Sequence, residues 1–196
     1  MKLTIMISAP PEKGIEANQV IERKRVEAAL TEREITVSTQ SGVDALSSRG
    51  YGTVEDKKLK LSPHEALFLL DKGLLEVRQK KPKKTFSFQE VLQRFKVADE
   101  NVWVKYLIYR DLRSRGYVVR DGFGLGIDFR LYERGEYGKD VAEYIVYGIQ
   151  EGKPVSMKEL TSALKHAQSS KKKLVLAVLN RRGEVVYYSL SQLMIK

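Results

Sequence analysis

Apolar positions along the chain change their period several times. Ile15, Val20, Val26, Ala29 and Leu30 recur at roughly helical spacing among Glu, Arg and Lys, which predicts an amphipathic helix over residues 15–34. Ile35-Thr36-Val37-Ser38 is β-prone, and Gly42 to Leu46 predicts a short helical turn closed by the glycine-rich Arg49-Gly50-Tyr51-Gly52. Leu61-Ser62-Pro63-His64-Glu65 carries the signals of a helix start: Ser62 can cap, Pro63 suits the first turn, and Glu65 stands where a capping box needs it. Ala66, Leu67, Leu69 and Leu70 then supply a packing face and Gly73 a stop. His64, in that first turn on a polar side, is expected at the surface.

The proline-broken basic run from Arg78 to Lys84 reads as a linker. It divides a small mixed N-terminal domain, residues 1–84, from a C-terminal domain, residues 85–196. Phe88, Val91, Leu92 and Phe95 line one side of a helix predicted over Ser87 to Phe95. Val102, Tyr106, Ile108, Tyr109 and Leu112 do the same over Val102 to Gly116. β-like stretches follow at Tyr117–Val119, Ile127–Tyr132 and Tyr144–Tyr147, then a helix at Ser156–Ser169. Lys173–Leu179 and Glu184–Tyr188 flank Asn180-Arg181-Arg182-Gly183 as a hairpin. Gly122 to Gly126 leads into a strand and opens no helix, so it reads as a flexible β-turn and not as a phosphate cradle. The whole is α/β (α+β).

Composition narrows the chemistry. The absence of cysteine excludes disulfides, thiolate zinc sites and cysteine nucleophiles, and the two histidines, His64 and His166, leave little for an imidazole metal centre. No metal and no cofactor are expected, and His166 reads as a helix-surface residue. A formal charge of +10 favours a polyanionic partner, nucleic acid ahead of an anionic membrane, because each cation near a phosphate displaces condensed counterions. With no run of about 18 apolar residues and no leader after Met1, a soluble cytoplasmic protein is expected.

The stretch Tyr106-Leu-Ile-Tyr-Arg-Asp-Leu-Arg-Ser-Arg-Gly-Tyr-Val-Val119, running through Gly122-Phe123-Gly124 to Asp128-Phe129-Arg130-Leu131-Tyr132, resembles the signature of tRNA-intron endonucleases of the archaeal type. Ala167 to Ala177 and Gly183 to Tyr188 extend the resemblance. Ser48 to Gly52 and Leu61 to Gly73 are similar to the family's smaller N-terminal domain. Residues 1–34 carry no such match. The resemblance implies a nuclease-like C-terminal domain, a central mixed sheet flanked by helices. It also implies metal-independent cleavage of precursor tRNA at a bulge-helix-bulge, leaving a 2′,3′-cyclic phosphate and a 5′-hydroxyl.

Such a reaction needs a base for the 2′-hydroxyl, an acid for the departing 5′-oxygen and a cation for the charge on the transition state. The family's tyrosine corresponds to Tyr132 and its lysine to Lys172, but its histidine corresponds to Val141, in Val141-Ala142-Glu143-Tyr144-Ile145-Val146. Valine cannot transfer a proton. An arginine that holds a bulge base in the family corresponds to Lys165, which keeps charge but not the planar stacking group. The loop Asn180–Gly183 is basic where the family's is acidic, so Arg181 and Arg182 call for an acidic counterpart or an altered contact.

Three readings follow. The chain is a structural subunit beside a catalytic paralogue or a second copy, pairing through residues 185–190 in a tetrameric assembly; or it is active with Tyr137, Lys139 or Asp140 as the acid; or it is an RNA-binding scaffold without cleavage.

Overall fold

The computed structural model describes residues 25–31, 34–79, 83–124, 126–133, 135–139 and 141–192. The first unit is a six-stranded sheet with strand order β3-β4-β2-β1-β5-β6. Its strands are β1 (Val26–Leu30), β2 (Ile35–Val37), β3 (Thr53–Glu55), β4 (Lys58–Leu61), β5 (Leu75–Gln79) and β6 (Lys84–Phe86). All neighbours are antiparallel except β1 and β5, which run parallel. Helix α1 (Gln40–Ser47) and helix α2 (Pro63–Asp71) cross between strands.

Two expectations are corrected here. The helix expected over 15–34 is, in its described part, the strand β1, and residues 15–24 lie outside the described residues. Val26, Ala28 and Leu30 alternate as well as Val26, Ala29 and Leu30 repeat helically, and pairing with both β2 and β5 selects the alternation, burying Ala28 and Leu30. The basic run from Arg78 to Lys84 is not a free linker either. Arg78 and Gln79 end β5, Lys84 opens β6, and the two strands pair antiparallel, so a division after Lys84 would cut β6 from its sheet.

Helix α3 (Phe88–Lys96) starts at Ser87, whose hydroxyl accepts from the Glu90 backbone N–H while Glu90 accepts from the Ser87 N–H, a reciprocal cap. Helix α4 (Val102–Ser114) then runs beneath a five-stranded sheet of order β11-β10-β9-β8-β7. Its strands are β7 (Val118–Gly124), β8 (Ile127–Tyr132), β9 (Tyr144–Gln150), β10 (Lys173–Leu179) and β11 (Val185–Leu190), with helix α5 (Met157–Ser169) crossing between the parallel strands β9 and β10. One apolar core, including Phe129, Leu131, Val146 and Ala177, faces α4 and continues into the first unit. A smaller one around Ile145, Tyr147 and Leu174 faces α5 through Ala163 and Ala167. None of the helices among the described residues is long and apolar enough to cross a membrane.

His64 is buried, contrary to its expected surface position. Its ring lies 4.8 Å from that of Tyr109 on α4 and 5.1 Å from that of Phe129 on β8, and its Nε2 stands 3.0 Å from Asp121 Oδ1 on β7. The first turn of α2 is polar only locally, because the second sheet closes over it. Beside it Glu65 is also buried. One carboxylate oxygen accepts from the Ser62 N–H and the other from the Gly52 N–H, each at 3.0 Å, and the Arg120 guanidinium lies 3.5 Å away. Burial pushes the Glu65 carboxyl up, and the donors arranged around it offset the cost. Arg120 also donates to the Gly50 carbonyl at 3.0 Å, and Arg113 stacks on Tyr51 at 4.0 Å, so two cations of the second unit grip the turn of the first.

Glu65→Ala would strand the Ser62 and Gly52 donors and leave Arg120 without its counter-charge, so it is expected to lower stability by about 3 kcal/mol. Glu65→Gln, which keeps an acceptor, should lose less. Urea unfolding midpoints of the two variants measure this.

Candidate active site

Strand register brings the distant residues together. Leu131 pairs with Tyr144 across the antiparallel β8–β9 ladder, and Lys173 pairs with Tyr144 across the parallel β9–β10 ladder. One step outward, Tyr132 at the end of β8 and Lys172 just before β10 therefore flank Glu143 at the entrance of β9, each about 4.8 Å from the central strand. Val141 stands two residues before Glu143 on the same segment. The three positions that the resemblance connects thus share one end of the second sheet.

Each is positioned by a definite local device. Helix α5 ends with Lys171 in the left-handed region (φ 54°), and the Lys172 N–H bonds back to the Ala167 carbonyl at 2.8 Å. That reversal throws the chain from helix into strand and aims Lys172 across the sheet end. Its ammonium donates to the Ala142 carbonyl at 2.7 Å, next to Val141. Tyr132, half-buried, carries the Tyr137 ring edge-on at 5.2 Å between centroids. Val141 is 75% exposed, a hydrocarbon at the mouth of an otherwise polar sheet end.

The flanking charges are arranged in pairs. Lys173 donates to Glu143 at 2.6 Å, and this hydrogen bond holds the Glu143 carboxyl below the usual carboxylate range and the Lys173 ammonium above its own. Both acidic and basic partners are thereby engaged with each other, which leaves Lys172 as the cation directed at the Val141 segment.

Lys165 is exposed on α5 in a shallow recess with Met157, Lys158, Thr161 and Ser162. His166, its neighbour, is half-buried, with its ring 6.1 Å from that of Phe123. Arg181 and Arg182 sit exposed at the tip of the β10–β11 hairpin, where the Arg181 N–H donates to Glu151 at 3.0 Å. Tyr137 and Lys139 are exposed near Tyr132, and Asp140 lies outside the described residues. Among the described residues no cluster of three or more His, Asp or Glu is placed to hold a metal. The glycine-rich Gly122-Phe123-Gly124 lies inside β7 and not in the expected flexible β-turn.

This two-unit α/β chain, with Tyr132 and Lys172 at strand ends on either side of β9, matches a known family in both of its units. The tRNA intron endonuclease catalytic C-terminal domain matches residues 102–187, and the N-terminal domain of the same family matches residues 26–92. The chain belongs to the tRNA intron endonuclease family. It is 37% identical over 171 residues to the tRNA-splicing endonuclease of Methanococcus vannielii, covering 87% of this chain and 96% of that protein. It is likewise 37% identical over 141 residues to the Pyrococcus furiosus enzyme, 72% of this chain and 80% of that one. The Methanothermobacter thermautotrophicus protein of the same name is 34% identical over 166 residues, 84% and 95% respectively.

Because a side chain at φ near 54° is strained, Lys171→Gly is expected to raise stability by about 0.5–1 kcal/mol, and Lys171→Val, β-branched in a left-handed position, to lower it by about 1–2 kcal/mol. Thermal unfolding distinguishes them.

Proposed function

We propose that this chain is the structural subunit of a tRNA-splicing endonuclease that cleaves precursor tRNA at bulge-helix-bulge intron junctions, giving 2′,3′-cyclic phosphate and 5′-hydroxyl ends, and that a catalytic paralogue performs the chemistry. The observation that carries this reading is Val141. It stands, largely exposed, at the sheet end that carries Tyr132 and Lys172, next to the Ala142 carbonyl that holds the Lys172 ammonium, and by the family resemblance it takes the position of the proton donor to the departing 5′-oxygen. In the implied reaction Tyr132 would take the 2′-hydroxyl proton, and the Lys172 ammonium, held ready by the Ala142 carbonyl, would exchange that oxygen for a phosphate oxygen as charge develops. An isopropyl group supplies no proton for the last step, so the set is one member short.

A second reading is favoured by one contact. The Tyr137 ring lies edge-on to Tyr132, which brings a second phenol beside this strand end as the acid of an active subunit. Lys139, exposed in the same turn, is a further candidate for that role.

For assembly, we read residues 185–190 as the contact. Strand β11 pairs with β10 on one side only, and Val186 and Tyr188 are 43% and 55% exposed along it, an apolar edge suited to a paralogue or a second copy. Arg181 and Arg182 at the neighbouring hairpin tip suit an acidic counterpart.

Single-turnover cleavage of a bulge-helix-bulge RNA in EDTA tests the role. The lone wild-type chain should cut negligibly, a paralogue should restore cutting, and Val141→His should raise the lone chain's rate by roughly 100-fold, with Tyr132→Phe abolishing the gain. Efficient cutting by the lone wild type, lost on Tyr137→Phe, would establish the second reading instead.

Val186→Pro removes a backbone donor from the strand. It should weaken association in sedimentation while the circular dichroism of the first unit persists. A wild-type chain that stays monomeric at tens of micromolar, both alone and mixed with a paralogue, would rule out this edge as the contact.

A further inference from the structure

Helix α5 covers only part of its side of the second sheet. It packs over β9 and β10 through Ala163, Ala167, Ile145 and Leu174. Arg130 pairs in register with Ile145, so Arg130 and, two residues on, Tyr132 share that side of the sheet on β8. Phe123 joins them there, and the alternation of β7 alone would not have put it there. Asp121 points to the opposite side, toward His64, and a regular strand would send Phe123 the same way.

The ladder breaks between Asp121 and Gly124. Asp121 pairs with Phe129 and Gly124 with Ile127, which leaves two residues of β7 opposite Asp128 alone, a β-bulge. Gly122 makes the bulge feasible, since a Cβ there would lie 2.0 Å from the Ile127 carbonyl oxygen. The outcome is a phenyl ring that is 55% exposed, turned to the side of Tyr132 and Lys165, tilted against the His166 ring at 6.1 Å between centroids.

The ring is also backed by a cation. The Arg130 guanidinium lies 4.3 Å from its centroid and is fixed in orientation because Nε donates to the Asp121 carbonyl at 2.9 Å. An exposed aromatic with a planar cation against it is the arrangement that accepts an unpaired base, since bases stack on aromatic and guanidinium planes while the positive charge attracts the backbone. A core role for this ring would not call for a bulge that turns it out of the larger core, nor for such exposure.

We infer that Phe123 and Arg130 form a stacking platform for an unpaired nucleobase of the RNA substrate, Arg130 lying about 7 Å along β8 from Tyr132. The inference rests on the RNA-substrate part of the proposed function and is independent of whether this chain cleaves. The platform makes single-stranded geometry, and not charge alone, the feature that this subunit reads beside the strand ends. Lys165 on α5 supplies charge nearby, and Phe123 supplies the discrimination between bulge and helix.

The test is a binding measurement on the full chain with two probes, a bulge-helix-bulge RNA carrying a fluorescent adenine analogue in one bulge and a fully paired RNA duplex of equal length. Phe123→Ala should weaken binding to the bulged RNA roughly tenfold, leave duplex binding unchanged and remove the stacking quench of the analogue. Phe123→Trp should restore all three. Phe123→Leu, which keeps apolar bulk without a ring, should behave as the alanine variant and guards against a folding defect in the latter. Wild-type affinity and quench in Phe123→Ala, or equal loss on both RNAs in Phe123→Leu, would overturn the platform while leaving the RNA-substrate reading in place. A wild-type chain that binds neither RNA would overturn that reading and the platform with it.

Discussion

The wedge of His64 between Tyr109 and Phe129 fastens the two units to each other, and everything else in the chain is arranged about it. An imidazole in the first turn of α2 is sandwiched by a ring from α4 and a ring from β8, with Asp121 of β7 at its nitrogen. Glu65, one residue along, ties the same turn to Gly52 and to Arg120. These contacts merge the cores of both sheets into a single apolar body. The strand ends that carry Tyr132 and Lys172 are held by the sheet whose other face is this shared core, so their spacing is set by packing and not by loops.

That rigidity separates the strand-end positions from the packing that holds the sheet. Val141 is exposed at the strand entrance, and a change there disturbs neither core. Lys172 and Tyr132 are anchored by a backbone carbonyl and by an aromatic neighbour, contacts made without the Val141 side chain. A site assembled from strand ends can therefore lose a chemical step without losing its geometry, and its surroundings remain available for binding.

Much of this was legible in the sequence, and the failures have physical causes. The Ser62-Pro63-Glu65 start is local chemistry and was readable as such, as were the long helix from Val102 and the closing hairpin. β1 was not, because a five-residue Val-Glu-Ala-Ala-Leu segment satisfies both periods and only its neighbours choose between them. His64 was misplaced because what covers it comes from residues more than forty positions away. Gly122 and Gly124 signalled an irregular backbone, but sequence does not distinguish a turn from a bulge inside a strand, and with the bulge the partnership of Phe123 and Arg130 went unseen. The convergence of Tyr132, Val141 and Lys172 came with the family resemblance. Their spacing along the chain gives no hint of it, whereas the strand register accounts for it fully.

The parallel pairing of β9 with β10 has a consequence for the order in which the molecule is made. β7, β8 and β9 pair antiparallel in chain order and can zip without a helical crossover, but β10 reaches β9 only after the whole of α5 has closed one. Loop-closure entropy places such a contact late. Lys172 is delivered by that last closure, so the strand end bearing Tyr132 forms first and waits for its cation. A nascent chain still short of residue 172 would carry the aromatic half of the site without its positive charge, which makes the site a product of the completed fold and of no intermediate before it.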